Sequence, residues 1–396
     1  MITDTPTATS STTTLRRIAI DANEANVINR VGSNNYAFAI LQELYILTSK
    51  RKNLDVTILL SSPKVADLPK ARANWRYMVI KPATLWTKWA LPIHLLLHRR
   101  DYQIFFTFSH YGPQISSVPY VSSVMDLAYL HYPEQFKPTD LLKLRDWTAR
   151  TVKFAKKVVT ISQFSKQEIV KHYHRQSKDV VVAYPSFVFA KSAEYQHSRE
   201  FFAKHKLQSN YFLYLGTLQP RKNIIGLIEA YEECARKLAG ANLKRSRPQK
   251  IPQLVIAGKL GWLTTELQER IKRSPFADKI ITTGFVADEF KRALYQHAVA
   301  SLLLSFYEGF GIPPLESMQA GTIPIVANNS SLREVVGQAG FLVDEKNSHQ
   351  ISDAMIKVLT LSHKEKLKYK TAMRRQVAKF SWEKSARIVL ETLEKI

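Results

Sequence analysis

The sequence predicts an α/β protein built from two successive Rossmann-like domains, each with a parallel sheet. Three observations predict it. Short continuous apolar runs such as LDVTILL (54–60) and AVASLLL (298–304) recur along the chain, and runs of that length read as strands buried on both faces. Helical patterns separate successive runs, the alternation that parallel crossovers need. The alternation lapses once, over residues 186–209, where charge is mixed and periodicity is weak, and it restarts at residue 211. A linker there leaves a first domain over 16–190 and a second over 205–380, each long enough for its own core. Residues 1–15, rich in Thr and Ser, read as a disordered tail.

In the first domain, RIAID (17–21) opens the sheet and is followed by a loop and a helix with Tyr36, Ile40, Leu41 and Leu44 at helical spacing. Gly32 lies just before that helix. A strand, a glycine-bearing turn and a helix N-terminus can hold an anion or hydroxyls, although one glycine is a weak signal. Asp21 can equally cap the loop. Strands follow at 54–60 and 77–80, then LWTKWALPIHLLLHRR (85–100), which fits a core-packing helix bent at Pro92 better than a membrane-facing amphipathic one. Strands at 104–108 and 119–124 come next. The second of these delivers Asp126 to a strand's C-terminal end, where open α/β sheets place ligands. A helix over 139–155, a strand over 157–161, a helix capped by Ser162 and a strand at 180–183 complete the unit.

The second domain begins with a strand at 211–215 and the loop GTLQPRKN (216–223). Gly216 frees backbone N–H groups in that loop. Arg221 and Lys222 stand beside the N-terminus of the next helix, where cations oppose the helix dipole; an anion such as a diphosphate between them would satisfy dipole, guanidinium and ammonium together. Strands follow at 254–257 and 279–282, the latter leading to Phe285 and Val286. SFYEGFGIPPLESMQAGTIPIV (305–326) then supplies a loop and a helix that starts near Ile312, since Pro313 and Pro314 suit a first helical turn. Glu308 falls in the loop and Glu316 in the second turn. Gly309, Phe310 and Gly311 provide backbone N–H groups beside them, so the stretch offers acceptors and donors for sugar-type vicinal hydroxyls. Helices over 348–359, 363–377 and 380–396 end the chain.

Composition narrows the class. The 396 residues hold 45% hydrophobic side chains without an apolar run near 18 residues, which argues against a transmembrane helix. The first residues lack the apolar core of a secretory signal. The single cysteine forbids an intramolecular disulfide and fits a reducing compartment. Fifty-seven Lys and Arg against 33 Asp and Glu give +24, with 25 basic and 13 acidic residues over 1–185 and 32 and 20 beyond. Charge spread evenly over both halves points to an anionic surface, a membrane leaflet above all, more than to one nucleic-acid groove. No acidic D-x-D pair is present and the 11 histidines are not grouped at metal-ligand spacing.

FLYLGTLQPRKN, LVIAGKLGW, ITTGFV, SFYEGFGIPPLESMQAGTIPIV and SSLREVVGQAGFLVD occur in that order, and together they resemble the retaining glycosyltransferases of family 4. The resemblance runs from about residue 17 to 396 and implies the GT-B architecture, two facing Rossmann-like domains with a cleft, in which FSWEKSAR opens a closing helix (381–396) that packs back on the first domain. It implies a nucleotide-diphosphate sugar as donor, a substrate and not a cofactor, with no metal and no nucleic acid. Arg221 and Lys222 would hold the diphosphate, Glu308 the donor sugar and Glu316 the ribose, with Gly216, Thr217, Gly309, Phe310 and Gly311 lining the donor, Gly32 opposite, and Phe285 and Val286 beside the base. Asp126 is the first-domain catalytic candidate. Where the family reads His-Asp-Leu, this chain reads Met125, Asp126 and Leu127, and His110 is a candidate substitute for the missing imidazole.

The expected activity is therefore transfer of a hexose, mannose being one candidate, to a glycan or lipid-linked acceptor, in the cytoplasm and peripheral to the inner face of a membrane. Two alternatives stand beside it: a nucleotide-sugar-binding protein weakened by Met125, and a nucleotide-sugar epimerase on the same fold. A nucleic-acid-binding reading rests on charge alone.

Overall fold

Thirteen strands, β1 to β13, form two sheets among the described residues, which are 15–190, 193–242, 250–259 and 264–396 of a computed structural model. The first sheet holds β1 (Arg16–Asp21), β2 (Leu54–Leu60), β3 (Trp75–Val79), β4 (Ile104–Thr107), β5 (Tyr120–Ser123), β6 (Lys157–Thr160) and β7 (Val180–Val182), in the order β3-β2-β1-β4-β5-β6-β7. The second holds β8 (Tyr211–Leu215), β9 (Leu254–Ala257), β10 (Ile280–Gly284), β11 (Ala298–Leu303), β12 (Ile323–Ala327) and β13 (Phe341–Val343), in the order β10-β9-β8-β11-β12-β13. Every paired strand is parallel. This is the two-sheet α/β architecture that the alternation of runs predicts.

The side-chain alternation of each strand explains the layering. In β1, Ile18 and Ile20 enter one apolar layer and Ala19 the other; in β4, Ile104 and Phe106 face the first layer and Phe105 the second. Helices cover both faces of the central strands, which therefore need no polar side, while the edge strands β3 and β10 remain partly exposed. In each sheet the strand order reverses at one point, between β1 and β4 and between β8 and β11. The loops that leave those strands therefore diverge and open a crevice, the usual ligand position in such sheets.

The helix Trp382–Glu394 crosses to the first sheet's layer. Its Trp382 ring meets Tyr36 at 5.8 Å, its Leu393 carbonyl accepts from Arg16 Nη2 at 2.9 Å, and Ala386, Val389 and Leu393 are fully buried. Ser381 caps it, and Ser162 caps the helix Gln163–Tyr173 by accepting from Ser165 N–H. Cys234 is buried in the helix Ile224–Asn242, where burial pushes its thiol up to about 12.

Two expectations change. The stretch 186–209 contains a helix, Tyr195–Lys204, whose Phe201 and Phe202 pack on the second sheet's layer; its apolar contacts come from two adjacent aromatics and not from a full stripe, so periodicity misses it. Residues 85–100 form a π turn, Trp86–Ala90, that runs into the helix Leu91–Leu97 with Pro92 in its first turn, so proline starts the α-helix and does not bend it. The tail 1–14 and the basic stretch 243–249 lie outside the described residues.

Candidate active site

Two loops meet at the reversal point of the second sheet. After β8 the chain turns through Gly216 to Gln219, makes a 3-10 turn over Pro220–Lys222 and passes Asn223 in a left-handed conformation before the next helix. After β11 it runs through Ser305 to Gly311 and enters the helix Ile312–Ala320, with Pro313 and Pro314 in the first turn. Arg221 O accepts from Phe306 N–H at 2.9 Å, which fastens one loop to the other. Gly258, at the end of the neighbouring strand β9, must be glycine for this loop to pass: its φ is +148°, and a Cβ there would lie 1.8 Å from the Gly216 carbonyl.

Glu308 is the hub. It is 7% exposed, contacts Lys222 Nζ through Oε1, lies 3.4 Å from Arg221 Nη1 through Oε2, and accepts from Ser305 Oγ at 2.7 Å. Its N–H donates to Ser330 Oγ at 3.1 Å, and Ser331 Oγ donates to the carbonyls of Glu308 and Phe310 at 2.8 Å. Burial alone would raise its carboxyl; Lys222 and Arg221 outweigh that and hold it below the usual value. Burial draws Lys222 downward against the pull of Glu308. The result is a fixed, water-poor cluster of two cations and one anion, able to offer positive charge to a phosphate and an acceptor to a hydroxyl.

The first sheet supplies the facing wall. Asp126, on the loop after β5, presses on Gly309: a Cβ at Gly309 would come 2.5 Å from its Oδ2. Its Oδ1 accepts from Ala128 N–H at 2.9 Å. Ser165 Oγ donates to the Gly309 carbonyl at 3.3 Å, and Leu127 N–H donates to Tyr307 OH at 3.2 Å. Tyr307 sits among His131, Tyr132 and Phe164, with ring centroids 5.1, 6.2 and 5.3 Å away. Arg221, Lys222, Glu308 and Asp126 thus converge.

Met125 is buried where the family pattern carries histidine, and His110 reaches the same place from the loop after β4. His110 Nε2 accepts from Met125 N–H at 3.0 Å, so the neutral ring carries its proton on Nδ1. That Nδ1 is buried and has no partner among the described residues. Burial lowers the imidazole's pKa, with Asp126 opposing.

The remaining expected residues divide. Glu316 is 4% exposed; Tyr295 OH donates to its Oε2 at 2.8 Å, Lys291 Nζ lies 3.8 Å from Oε1, and burial raises its carboxyl. Gly311 holds φ +97°, and a Cβ there would strike Leu332 at 2.6 Å. Phe310 turns its ring inward against Tyr184 and Phe380, leaving only its backbone to the loop. Thr217 is exposed, and its carbonyl accepts from Tyr214 OH at 3.1 Å. Phe285 is 74% exposed, whereas Val286 packs in the core, so the Val286 side chain borders no open surface. Gly32 is exposed at φ +50° and caps the helix Ser33–Leu47. Asp21 accepts from Asn23 N–H at 3.0 Å and from Thr107 Oγ1 at 2.9 Å, the loop-capping alternative; burial pushes it up to about 6.

Sequence spacing misses several partners. Lys291 and Tyr295 lie four apart on the helix Asp288–His297 and both reach Glu316, a pairing that the i,i+4 rule could have suggested. Ser330 and Ser331 lie 22 and 23 positions from Glu308, and no spacing rule links them to it, whereas Ser305 is only three residues away. The histidines are not all isolated: folding brings His131, Glu168 and His172 together, with ligand atoms within 4.8 Å of one another, because two separate helices contribute them. Sequence spacing also misses Glu334, which accepts from Gln163 N–H and Phe164 N–H, both at 3.1 Å, and from Tyr184 OH at 3.2 Å.

Residues 197–376 match the family described as glycosyl transferases group 1. The chain is 29% identical over 296 residues to the O-antigen chain mannosyltransferase B of Escherichia coli, covering 72% of each protein. It is 32% identical over 245 residues to the serotype-specific mannosyltransferase WbdA of the same organism, which covers 59% of this chain and 28% of that longer protein. Among solved structures, Anabaena Alr3699/HepE in complex with UDP superposes with a TM-score of 0.68 at 16% identity, over 96% of this chain and all of that one. WaaG, a glycosyltransferase involved in lipopolysaccharide biosynthesis, superposes at 0.61 and 13% identity, over 96% and 99%. The last two comparisons concern the fold, which is GT-B.

Proposed function

We propose, from the premise that this chain is a glycosyltransferase with a group 1 domain, that it transfers a hexose from a nucleotide-diphosphate sugar to a glycan or lipid-linked acceptor, with retention and without a metal. The observation that carries the reading is the convergence of Arg221, Lys222 and Glu308 at the reversal point of the second sheet, closed by Asp126 from the first. Mannose is favoured as the sugar because the curated relatives above are mannosyltransferases, and their O-antigen names favour a growing glycan as acceptor.

In this reading the donor's diphosphate lies against Arg221 and Lys222, close to the N–H groups of the Gly309–Gly311 loop. As the glycosidic bond lengthens, charge grows on the leaving diphosphate, and the two cations stabilise it without reorganising; fixed electrostatics of this kind contribute about 3 to 4 kcal/mol per group removed. Glu308 accepts from the donor sugar and holds Lys222 in place. Glu316 accepts from the ribose through the oxygen that Tyr295 leaves open. Asp126 and the Nδ1–H of His110 address the sugar or the incoming hydroxyl from the first domain. The binding-only alternative would share the donor contacts and lack turnover. The epimerase alternative would need its own acid and base carboxylates.

A thermal-shift panel of GDP-mannose, UDP-glucose, UDP-N-acetylglucosamine and dTDP-sugars, with and without EDTA, tests the reading on wild type and Arg221→Ala. Ligand at about 100 times its Kd stabilises by about 2.7 kcal/mol. The expected outcome is a shift with one donor, unchanged by EDTA and lost in the variant. Stabilisation by no donor would remove Arg221 as diphosphate clamp, and stabilisation without turnover when acceptor is supplied would select the binding protein. The anomeric configuration of the product, read by NMR, decides retention.

A further inference from the structure

The segment 85–97 has two faces, and only one is used by the core. Trp86, Ala90, Leu91 and Leu95 pack under the first sheet, while Leu85, Trp89, Ile93, Leu96 and Leu97 are 56%, 56%, 52%, 52% and 75% exposed. Five large apolar side chains on one short element exceed the scattered exposure usual on a soluble surface. Local geometry sharpens the point. Leu85 stands at φ +55°, a conformation that suits Gly or Asn, with its side chain in water. The π turn that follows widens the helix and carries the same row on through Trp89 and Ile93.

Cations frame the row. Lys88, Arg99 and Arg100 are exposed, and none forms an ion pair among the described residues. The neighbouring loop continues the face: Ser117 Oγ donates to Leu95 O at 2.8 Å, Ile115 is 80% exposed, and Arg150 Nη1, on the helix Pro138–Phe154, approaches Gln114 Oε1 at 3.5 Å. An exposed apolar row rimmed by unpaired basic side chains is complementary to a surface that is apolar within and anionic at its rim.

We infer that this face, built on residues 85–100, seats the protein on an anionic lipid bilayer, with Trp89, Ile93 and Leu97 entering the headgroup boundary and Lys88, Arg99 and Arg100 meeting lipid phosphates. A second copy of the chain is the poorer occupant, because pairing this face with itself sets like charges together on a protein of net +24. The seating is independent of the sugar transferred, and the two ideas fail separately. No described helix is long and apolar enough to cross a membrane.

Co-sedimentation of the full chain with vesicles tests it, using phosphatidylcholine alone and phosphatidylcholine mixed with phosphatidylglycerol. Wild type is expected to pellet with the mixed vesicles and to be released as salt rises. Trp89→Ser with Leu97→Ser, and separately Arg99→Glu with Arg100→Glu, should each weaken partitioning about tenfold while donor-induced thermal shifts stay as in wild type. Lys366→Glu with Lys370→Glu, an equal change of charge on an exposed helix elsewhere, should retain binding. The charge pair lies outside the core, so it remains informative if the apolar variant folds poorly. Three results would overturn the inference: no pelleting of wild type with mixed vesicles, an equal loss in the control variant, or a wild-type dimer that the Trp89→Ser and Leu97→Ser changes dissolve.

Discussion

Glu308 shows what a single residue sets. With Lys222 and Arg221 it makes a charge cluster whose partners are already inside the protein. Removing only its anion should leave a buried ammonium without its counter-charge, so Glu308→Gln is expected to cost about 3 kcal/mol in the ligand-free protein. A free nucleoside diphosphate should then raise the melting temperature of the variant more than that of wild type; an equal or smaller rise would place the diphosphate elsewhere. Asp21 gives a prediction of pH dependence. Its folded pKa, about 6, is above the usual 3.8, so its contribution to stability is present below that usual value and lost as pH climbs through about 6. Asp21→Asn removes the dependence, and its stability relative to wild type should improve by about 3 kcal/mol between pH 3.5 and pH 8 in urea titrations. Glu308 and Glu316 were legible as a spaced pair within the stretch 305–326. Their burial was not, since it depends on Ser330 and Ser331 in one case and on Tyr295 in the other, residues that reach them only through the fold.

Among elements, strands were read most faithfully, because a strand buried on both faces announces itself as an unbroken apolar run; β2, β8 and β9 begin and end at the expected residues. β13, three residues long, and the helix Leu332–Val336, five residues long, fall below the length at which a period can be seen. The residues 85–97 resisted for another reason: an element that buries one apolar face and exposes another has no polar side to fix its phase. The helix Gln163–Tyr173 carries a prediction at this scale. Glu334, on the helix Leu332–Val336 of the second unit, reaches it and satisfies two of its free N–H groups, where a carboxylate also complements the helix dipole. Glu334→Ala should lower stability by about 1 to 2 kcal/mol and increase the radius of gyration in solution scattering. A stability loss with unchanged dimensions would limit Glu334 to a local cap.

Across the whole molecule the chain ends where it began, with Trp382 against Tyr36 and Glu394 paired with Arg51 at 2.5 Å. The closing helix fills part of the first sheet's layer, so a chain stopped after residue 380 uncovers Tyr36 and its apolar neighbours. Limited proteolysis of that shortened chain should cut first within residues 16–190 while the second unit survives; simultaneous loss of both would show that the closing helix matters to the chain as one cooperative body. The two-sheet architecture was legible from alternation and one lapse in it. The contacts between the sheets were not, since Asp126 against Gly309 and Glu334 against Phe164 join residues more than 150 positions apart.

Cys234 has a use unrelated to catalysis. It is the chain's one thiol, it is 1% exposed, and burial raises its pKa to about 12, so an alkylating reagent finds neither access nor thiolate in the folded state. The native protein is therefore expected to stay unlabelled at Cys234 when treated with a maleimide, which intact-mass measurement checks. Its labelling rate becomes a clock for opening of the second unit, and cysteines introduced on the surface can carry dyes across the cleft with the natural thiol left in place.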